Sequence, residues 1–191
     1  MNLSEIIVEK KTGNEAFKHN NQQLDFNLSD FWSWNQSDLV ENRTRGILAE
    51  FIVKKALQIE SEGRVEWDNF DLITNTGKKI EIKSAAYIQT WEQKKFSNIT
   101  FGIAETIGAK DSPSFDGLKR RWTDFYVFCL LKHREQNTIN PMDLNQWTFY
   151  VLETKTLENQ LPQQKTIRLN SLLKLNPIEC NYSELKNAID K

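Results

Sequence analysis

Cysteine and histidine are nearly missing from this chain, with two of each among 191 residues. Cys129 and Cys180 cannot build a disulfide framework or a thiolate zinc module, and two lone thiols fit a reducing interior. His19 and His133 cannot build a histidine metal centre. Any metal held here has to be held by oxygens, which selects Mg2+, Mn2+ or Ca2+. Long hydrophobic runs are also absent. The longest, Phe125 to Leu131, is far short of the ~20 residues that cross a bilayer. Residues 1–11 lack the apolar stretch of a secretion signal. The expectation is a cytoplasmic protein that does not associate with membranes. An excess of one charge is missing as well: 25 Lys and Arg stand against 26 Asp and Glu, a net charge of −1. That excludes a global basic field of the kind that gathers nucleic acid, so any such contact has to come from a local patch.

Aromatic residues are plentiful: 11 Phe, 6 Trp and 4 Tyr in a chain that is 39% hydrophobic. This is enough to bury the core of one domain, and a charged fraction of 27% does not point to disorder. Residues 1–36 are polar and rich in Asn and Gln, with a late cluster of Phe26, Phe31, Trp32 and Trp34. They are predicted to be an arm with a frayed start, packing on a single domain that spans 37–191. Phe31, Trp32 and Trp34 read as a packing or oligomer contact ahead of a base-stacking surface.

A helix is predicted from an N-cap at Ser37 or Asp38 to about Gln58. Its apolar residues lie almost all round the wheel, so most of its faces are expected to be buried. Glu50 falls inside it among Ile47, Val53 and Leu57, where a carboxylate needs a partner. Strands are predicted at 64–67, 70–73, 79–85, 95–103, 122–131 and 146–153, with 86–94 a short helix or loop. A long loop at 104–119 and short helices at 166–176 and 183–190 complete the layout. The fold class is α/β (α+β), with a central mixed sheet flanked by helices.

One segment carries chemistry. In Phe70-Asp71-Leu72-Ile73-Thr74-Asn75-Thr76-Gly77-Lys78-Lys79-Ile80-Glu81-Ile82-Lys83, a hairpin loop of Asn75, Thr76 and Gly77 puts Gly77 in the left-handed position. Thr74 then faces Lys78, and Asp71 faces Glu81 with Cβ atoms ~4.5–5.5 Å apart. Lys83 lies on the same side, ~7 Å further along. Two opposed carboxylates repel, and an oxygen-bound divalent cation relieves that. Asp71, Glu81, a main-chain carbonyl such as that of Ile82, and waters form a suitable Mg2+ site. Lys83 would then stand beside a metal-bound water or a substrate phosphate. On spacing alone, the trio reads first as a solvated charge cluster. Three features turn it toward a site: Glu50 on an apolar helix upstream, the apolar neighbours Ala85, Ala86 and Tyr87, and Trp67, Tyr87 and Trp91 as walls of a cleft.

The order of a helical Glu50 in Arg45-Gly46-Ile47-Leu48-Ala49-Glu50, then Phe70-Asp71-Leu72, then Ile80-Glu81-Ile82-Lys83-Ser84 resembles the PD-(D/E)xK nuclease superfamily. The resemblance covers residues 38–131, with Phe70 where many members have Pro, and it does not single out a subfamily. It implies a restriction-endonuclease-like core and a Mg2+-dependent nuclease that hydrolyses DNA phosphodiester bonds, in restriction, repair or mobile-element defence, with Mn2+ able to substitute. Asp71 and Glu81 would bind the metal, Lys83 would assist the attacking water, and Glu50 would support the metal or its water shell. The alternative is a non-catalytic DNA-binding or protein-interaction module on the same fold. A homodimer would suit the nuclease, because cutting two strands often takes two sites.

Basic residues suited to phosphate contact are Lys94, Lys95, Lys119, Arg120 and Arg121, with Lys110 nearby, although such clusters are more often solvated surface. Arg43 and Arg45 face either a phosphate or an ordinary salt bridge, the latter being favoured. Gln89 matches a glutamine found downstream in some superfamily branches. Asp124 and His133 read as structural before catalytic, and Cys129 as a packed core residue.

Overall fold

The computed structural model describes residues 8–60, 69–108 and 116–191. They fall into two compact units, one formed by the residues up to Asp38 together with Glu60 and the other by Leu39–Ile59 and the residues from 69 onward.

In the first unit the expected arm has its own fold. Strands β1 (Ala16–His19) and β2 (Gln22–Asn27) pair antiparallel and are followed by helix α1 (Leu28–Gln36). The turn is made by Asn20 and Asn21, both at positive φ (48° and 63°), a conformation asparagine tolerates better than most residues. Asn27 caps α1: its side chain accepts from the Ser29 and Asp30 N–H groups, and the Asp30 carboxylate accepts from the Asn27 N–H. This reciprocal box satisfies donors that a helix start otherwise leaves open. Ser37, expected to begin a helix, instead ends this one, its hydroxyl donating to the Ser33 carbonyl.

In the second unit helix α2 spans Asn42–Ala56, and its cap is Glu41, which accepts from the Arg43 and Thr44 N–H groups. Those main-chain bonds hold the Glu41 carboxyl below the usual range. The remaining strands and α-helices are β3 (Leu72–Ile73), β4 (Lys79–Ala86), β5 (Thr100–Gly102), β6 (Phe125–Leu131), β7 (Trp147–Glu153), α3 (Thr154–Gln160), β8 (Thr166–Arg168), α4 (Leu169–Leu173), β9 (Ile178–Cys180) and α5 (Leu185–Asp190). The main sheet has five strands in the order β3-β4-β6-β7-β9, with β4 and β6 parallel and the other pairs antiparallel. It is therefore mixed, as expected. β5 and β8 form a separate pair.

β6 is central because it is apolar on both faces. On one side Val127, Cys129 and Leu131 pack with Ile80, Ile82, Trp147 and Phe149 beneath α2 and α5. On the other, Tyr126, Phe128 and Leu130 pack with Ala85, Tyr150 and Leu152 against Phe101, Ile167, Leu157 and Leu172. A strand buried on both faces reads as a continuous hydrophobic run rather than an alternation. The helix expected at 166–176 is corrected: its first residues are β8, paired with β5, and only Leu169–Leu173 are helical. The strand expected at 95–103 shrinks to Thr100–Gly102. The strand expected at 64–67 lies outside the described residues.

The turn between β3 and β4 is the predicted one. Thr74 and Lys78 pair across it, with the Thr74 N–H 2.9 Å from the Lys78 carbonyl, and Gly77 sits at φ +83°. A Cβ at Gly77 meets nothing within 4 Å, so Gly77→Ala tests the backbone conformation alone. It should destabilise the fold by about 1 kcal/mol, a fall in melting temperature of about 2–4 °C. An unchanged thermal melt would show that the turn does not need glycine.

Candidate active site

The hairpin places the predicted carboxylates at the open edge of β4. Its register, Leu72 with Ile80 and Ile73 with Lys79, carries back to Asp71 opposite Glu81. Asp71 lies just outside β3 and is fixed twice: its N–H donates to the Ile80 carbonyl at 3.0 Å, and its Oδ2 accepts the Ile82 N–H at 2.6 Å. In an extended strand the N–H and C=O of one residue point to the same edge. The Ile82 carbonyl therefore opens toward the edge that Asp71 occupies, and Asp71 Oδ1 is not used in the bond to β4.

Glu81 and Lys83 share the face of β4 opposite to Ile80 and Ile82, and Lys83 Nζ donates directly to Glu81 Oε1. Both side chains are only partly exposed, Lys83 by 32% and Glu81 by 21%. Burial pushes the Glu81 carboxyl above the usual range. Lys83 opposes that shift, and the charges of Asp71 and Glu50 add to it. Half-buried Glu50 on α2 is thus electrostatically part of the same group. Tyr126 pairs with Glu81 across the parallel β4–β6 ladder. Its phenol is held above the usual range, first by burial and then by the Glu81 charge.

Among the described residues, no three His, Cys, Asp or Glu side chains come together tightly enough to enclose a metal by themselves. The donor set at the hairpin is two carboxylates and one outward main-chain carbonyl. It is an all-oxygen set of the kind that Mg2+ and Mn2+ take, with waters filling the remaining positions. A cation also fits the charge distribution, since ionisation of Glu81 is already opposed by two neighbouring carboxylates.

The other sequence candidates separate. Arg121 is corrected from a phosphate contact to a buried strut: its Nε donates to the Ile103 carbonyl at 2.9 Å, and its Nη2 to the Leu161 and Gln164 carbonyls. Arg120 turns outward, pairs with Asp116 and stacks on the Trp122 ring. Lys119, Lys94 and Lys95 are exposed. Asp124 ties strand ends together, accepting the Lys79 N–H at 2.8 Å. His133 bonds Thr138 beyond the far end of β6. Trp91 is exposed, and Trp67 and Lys110 lie outside the described residues.

Arg45 is corrected from a salt-bridge or phosphate residue to a buried brace. It is 3% exposed and donates to Ser84 Oγ at 3.2 Å, the Val40 carbonyl at 2.7 Å, Asn42 Oδ1 at 2.7 Å and Gln89 Oε1 at 3.4 Å. It thereby joins the start of α2, the strand carrying Glu81 and Lys83, and the loop that follows. The sequence signal for it was an arginine in the first turn of a helix, four residues before the buried Ala49.

The sequence model of the family described as bacteriophage T4 endonuclease IV matches residues 1–171 of this chain. No curated protein matches it.

Proposed function

Because the chain belongs to the bacteriophage T4 endonuclease IV family, we propose that it hydrolyses phosphodiester bonds of DNA at the β3–β4 hairpin, by the chemistry of PD-(D/E)xK enzymes. Family membership makes the chain a nuclease; the assignment of the reaction to the hairpin is the proposal. The observation that carries it is the convergence of Asp71, the Ile82 carbonyl, Glu81 and Lys83 on one short stretch of β4. The Asp71-bearing segment beside a Glu-x-Lys strand, the parallel neighbour β6 and the preceding helix with Glu50 support a restriction-endonuclease-like core.

Asp71, Glu81 and the Ile82 carbonyl would hold the cation. Bound there, Mg2+ would supply Lewis-acid stabilisation of the negative charge that builds on the scissile phosphate. Lys83 orients the attacking water and offsets the charge developing on the phosphate oxygens. Water attacks phosphorus in line and releases a proton to solvent, the P–O3′ bond breaks, and the leaving oxygen takes up a proton from solvent. Glu81 holds Lys83 in place through their ion pair, and Glu50 adds to the negative potential that favours a cation over an empty site.

Asp71→Asn tests this with two readouts. Calorimetric titration of Mn2+ should give one-to-one binding in the wild type and none in the variant. Cleavage of labelled DNA should depend on the divalent cation and be lost with Asp71→Asn. Undiminished cleavage by Asp71→Asn would overturn the assignment of the site.

A further inference from the structure

We propose that the loop 87–97, immediately after β4, docks an unpaired stretch of the strand being cut, with Trp91 and Phe96 stacking on bases and Lys94 and Lys95 meeting the flanking phosphates. The strand is the substrate of the proposed nuclease, so the inference rests on that reading.

The loop is closed and internally braced. The Ser97 N–H donates to the Tyr87 carbonyl at 2.9 Å. Gln93 lies across it, accepting the Gln89 N–H at 2.7 Å and donating to Ser97 Oγ at 3.0 Å. The Gln89 amide donates to the Ala86 carbonyl at 2.9 Å, and its oxygen takes the buried Arg45. A compact loop with joined ends and polar side chains spent on holding its own shape is preorganised. Phe96 also meets Tyr87 edge to face, their ring centroids 6.2 Å apart, while the hydrogen bonds that brace the loop use neither Trp91 nor the lysine side chains. Trp91 is 54% exposed and Phe96 49%, and Lys94 and Lys95 are exposed beside them. Arg134 adds a further cation, its guanidinium lying 4.0 Å from the Tyr87 ring centroid and 5.7 Å from that of Phe96. Glu92 is the one acidic residue in the loop, so positive charge prevails locally in a chain whose net charge is −1.

Exposed rings interleaved with lysines are what single-stranded nucleic acid requires: a π-face for each base and a cation for each phosphate. The placement agrees. Tyr87 continues the alternation of Glu81, Lys83 and Ala85, and it packs on the cluster beneath that face. It lies four residues beyond Lys83, or ~13 Å along an extended strand.

The test is fluorescence anisotropy of a fluorescein-labelled oligothymidylate in EDTA, so that binding is read without cleavage. Trp91→Ala and Phe96→Ala should each weaken binding about ten-fold, and Trp91→Phe should recover most of the loss. Lys94→Ala with Lys95→Ala should reduce the slope of log affinity against log salt by about 1.4, roughly 0.7 for each phosphate left without its lysine. Both ring positions are exposed, so circular dichroism should be unchanged. Binding by Trp91→Ala and Phe96→Ala within two-fold of the wild type would overturn the proposal, as would an equal loss on a fully paired hairpin probe. A wild type that binds through the loop but cleaves nothing with any divalent cation would uphold this inference while overturning the nuclease site.

Discussion

Glu81→Gln should lower the rate of DNA cleavage by at least about 10³-fold while leaving the protein no less stable than the wild type at pH 8. The loss follows from the proposed role of the carboxylate, which would supply a charged oxygen to the cation, and from its contact with Lys83, which it anchors. Removing a positioned group of this kind typically costs 10²–10⁴-fold, and here both the charge and the lysine's anchor go together. The stability half follows from burial. The Glu81 carboxyl is held above its ordinary value of 4.5 by burial and by Asp71 and Glu50, with Lys83 only partly offsetting them. A group with a raised pKa binds its proton more tightly in the folded state than in the unfolded chain. Wild-type stability therefore falls as pH rises from about 4.5 through that raised value. Glutamine does not titrate, so the melting temperature of the variant relative to wild type should climb between pH 4 and pH 8 in metal-free buffer. Wild-type cleavage rates in Glu81→Gln would remove Glu81 from the chemistry. A variant that melts lower at pH 8 than at pH 4, relative to wild type, would mean that the ionised Glu81 is stabilised by the fold, not strained in it.

The hairpin was legible in the sequence because everything that defines it is local. Gly77 marks the left-handed turn position, the alternation of Ile80, Glu81, Ile82 and Lys83 sets the two faces, and counting across the turn puts Asp71 opposite Glu81. β6 and β7 were legible for a different reason: strands buried on both faces announce themselves as apolar runs. What failed to show was pairing at long range and structure without hydrophobic signal. β1 and β2 are largely exposed strands around an Asn-Asn turn, and the one alternation they carry, Leu24 and Phe26 among Gln23, Asp25 and Asn27, is short and set in a polar stretch. β8 is a strand only because β5 waits for it, and its three residues fit a helical pattern equally well. Arg120 and Arg121 are chemically alike and adjacent. Only the register leading into β6 decides that one faces solvent and the other reaches into the carbonyls of Ile103, Leu161 and Gln164.

Arg45 is the sharpest case of a residue whose role depends on what surrounds it, and replacing it with methionine should be strongly destabilising. Two effects oppose each other. Burial of the guanidinium is unfavourable and holds the Arg45 pKa below the usual value, with the Glu41 charge offsetting only part of that. Removing the charge recovers the burial cost, and for this reason apolar replacements of buried ions are sometimes neutral. Against this, Arg45 donates to four neutral acceptors. Asn42 is exposed and Ser84 only half-buried, so both can turn to water. Gln89 is 8% exposed, and its amide oxygen would lose its donor in a site water does not reach freely, at about 1–3 kcal/mol. The tie between α2 and the end of β4 goes with it. The net expectation for Arg45→Met is a loss of about 2–3 kcal/mol, a fall of roughly 4–12 °C in melting temperature. Arg45→Lys should fall between the two, because an ammonium keeps the charge but cannot reproduce a planar fork that reaches Ser84, Val40, Asn42 and Gln89 at once. Ser84 is the neighbour of Lys83 and Gln89 braces the loop with Trp91, so Arg45 would be a positioning residue for both proposed surfaces. Arg45→Lys, assayed well below its melting temperature, should therefore lower kcat and also weaken oligonucleotide binding in EDTA, whereas a purely stabilising role would leave both at wild-type values. If Arg45→Met melts within a degree of the wild type, the recovered burial cost outweighs the lost hydrogen bonds, and the network does not hold α2 to β4.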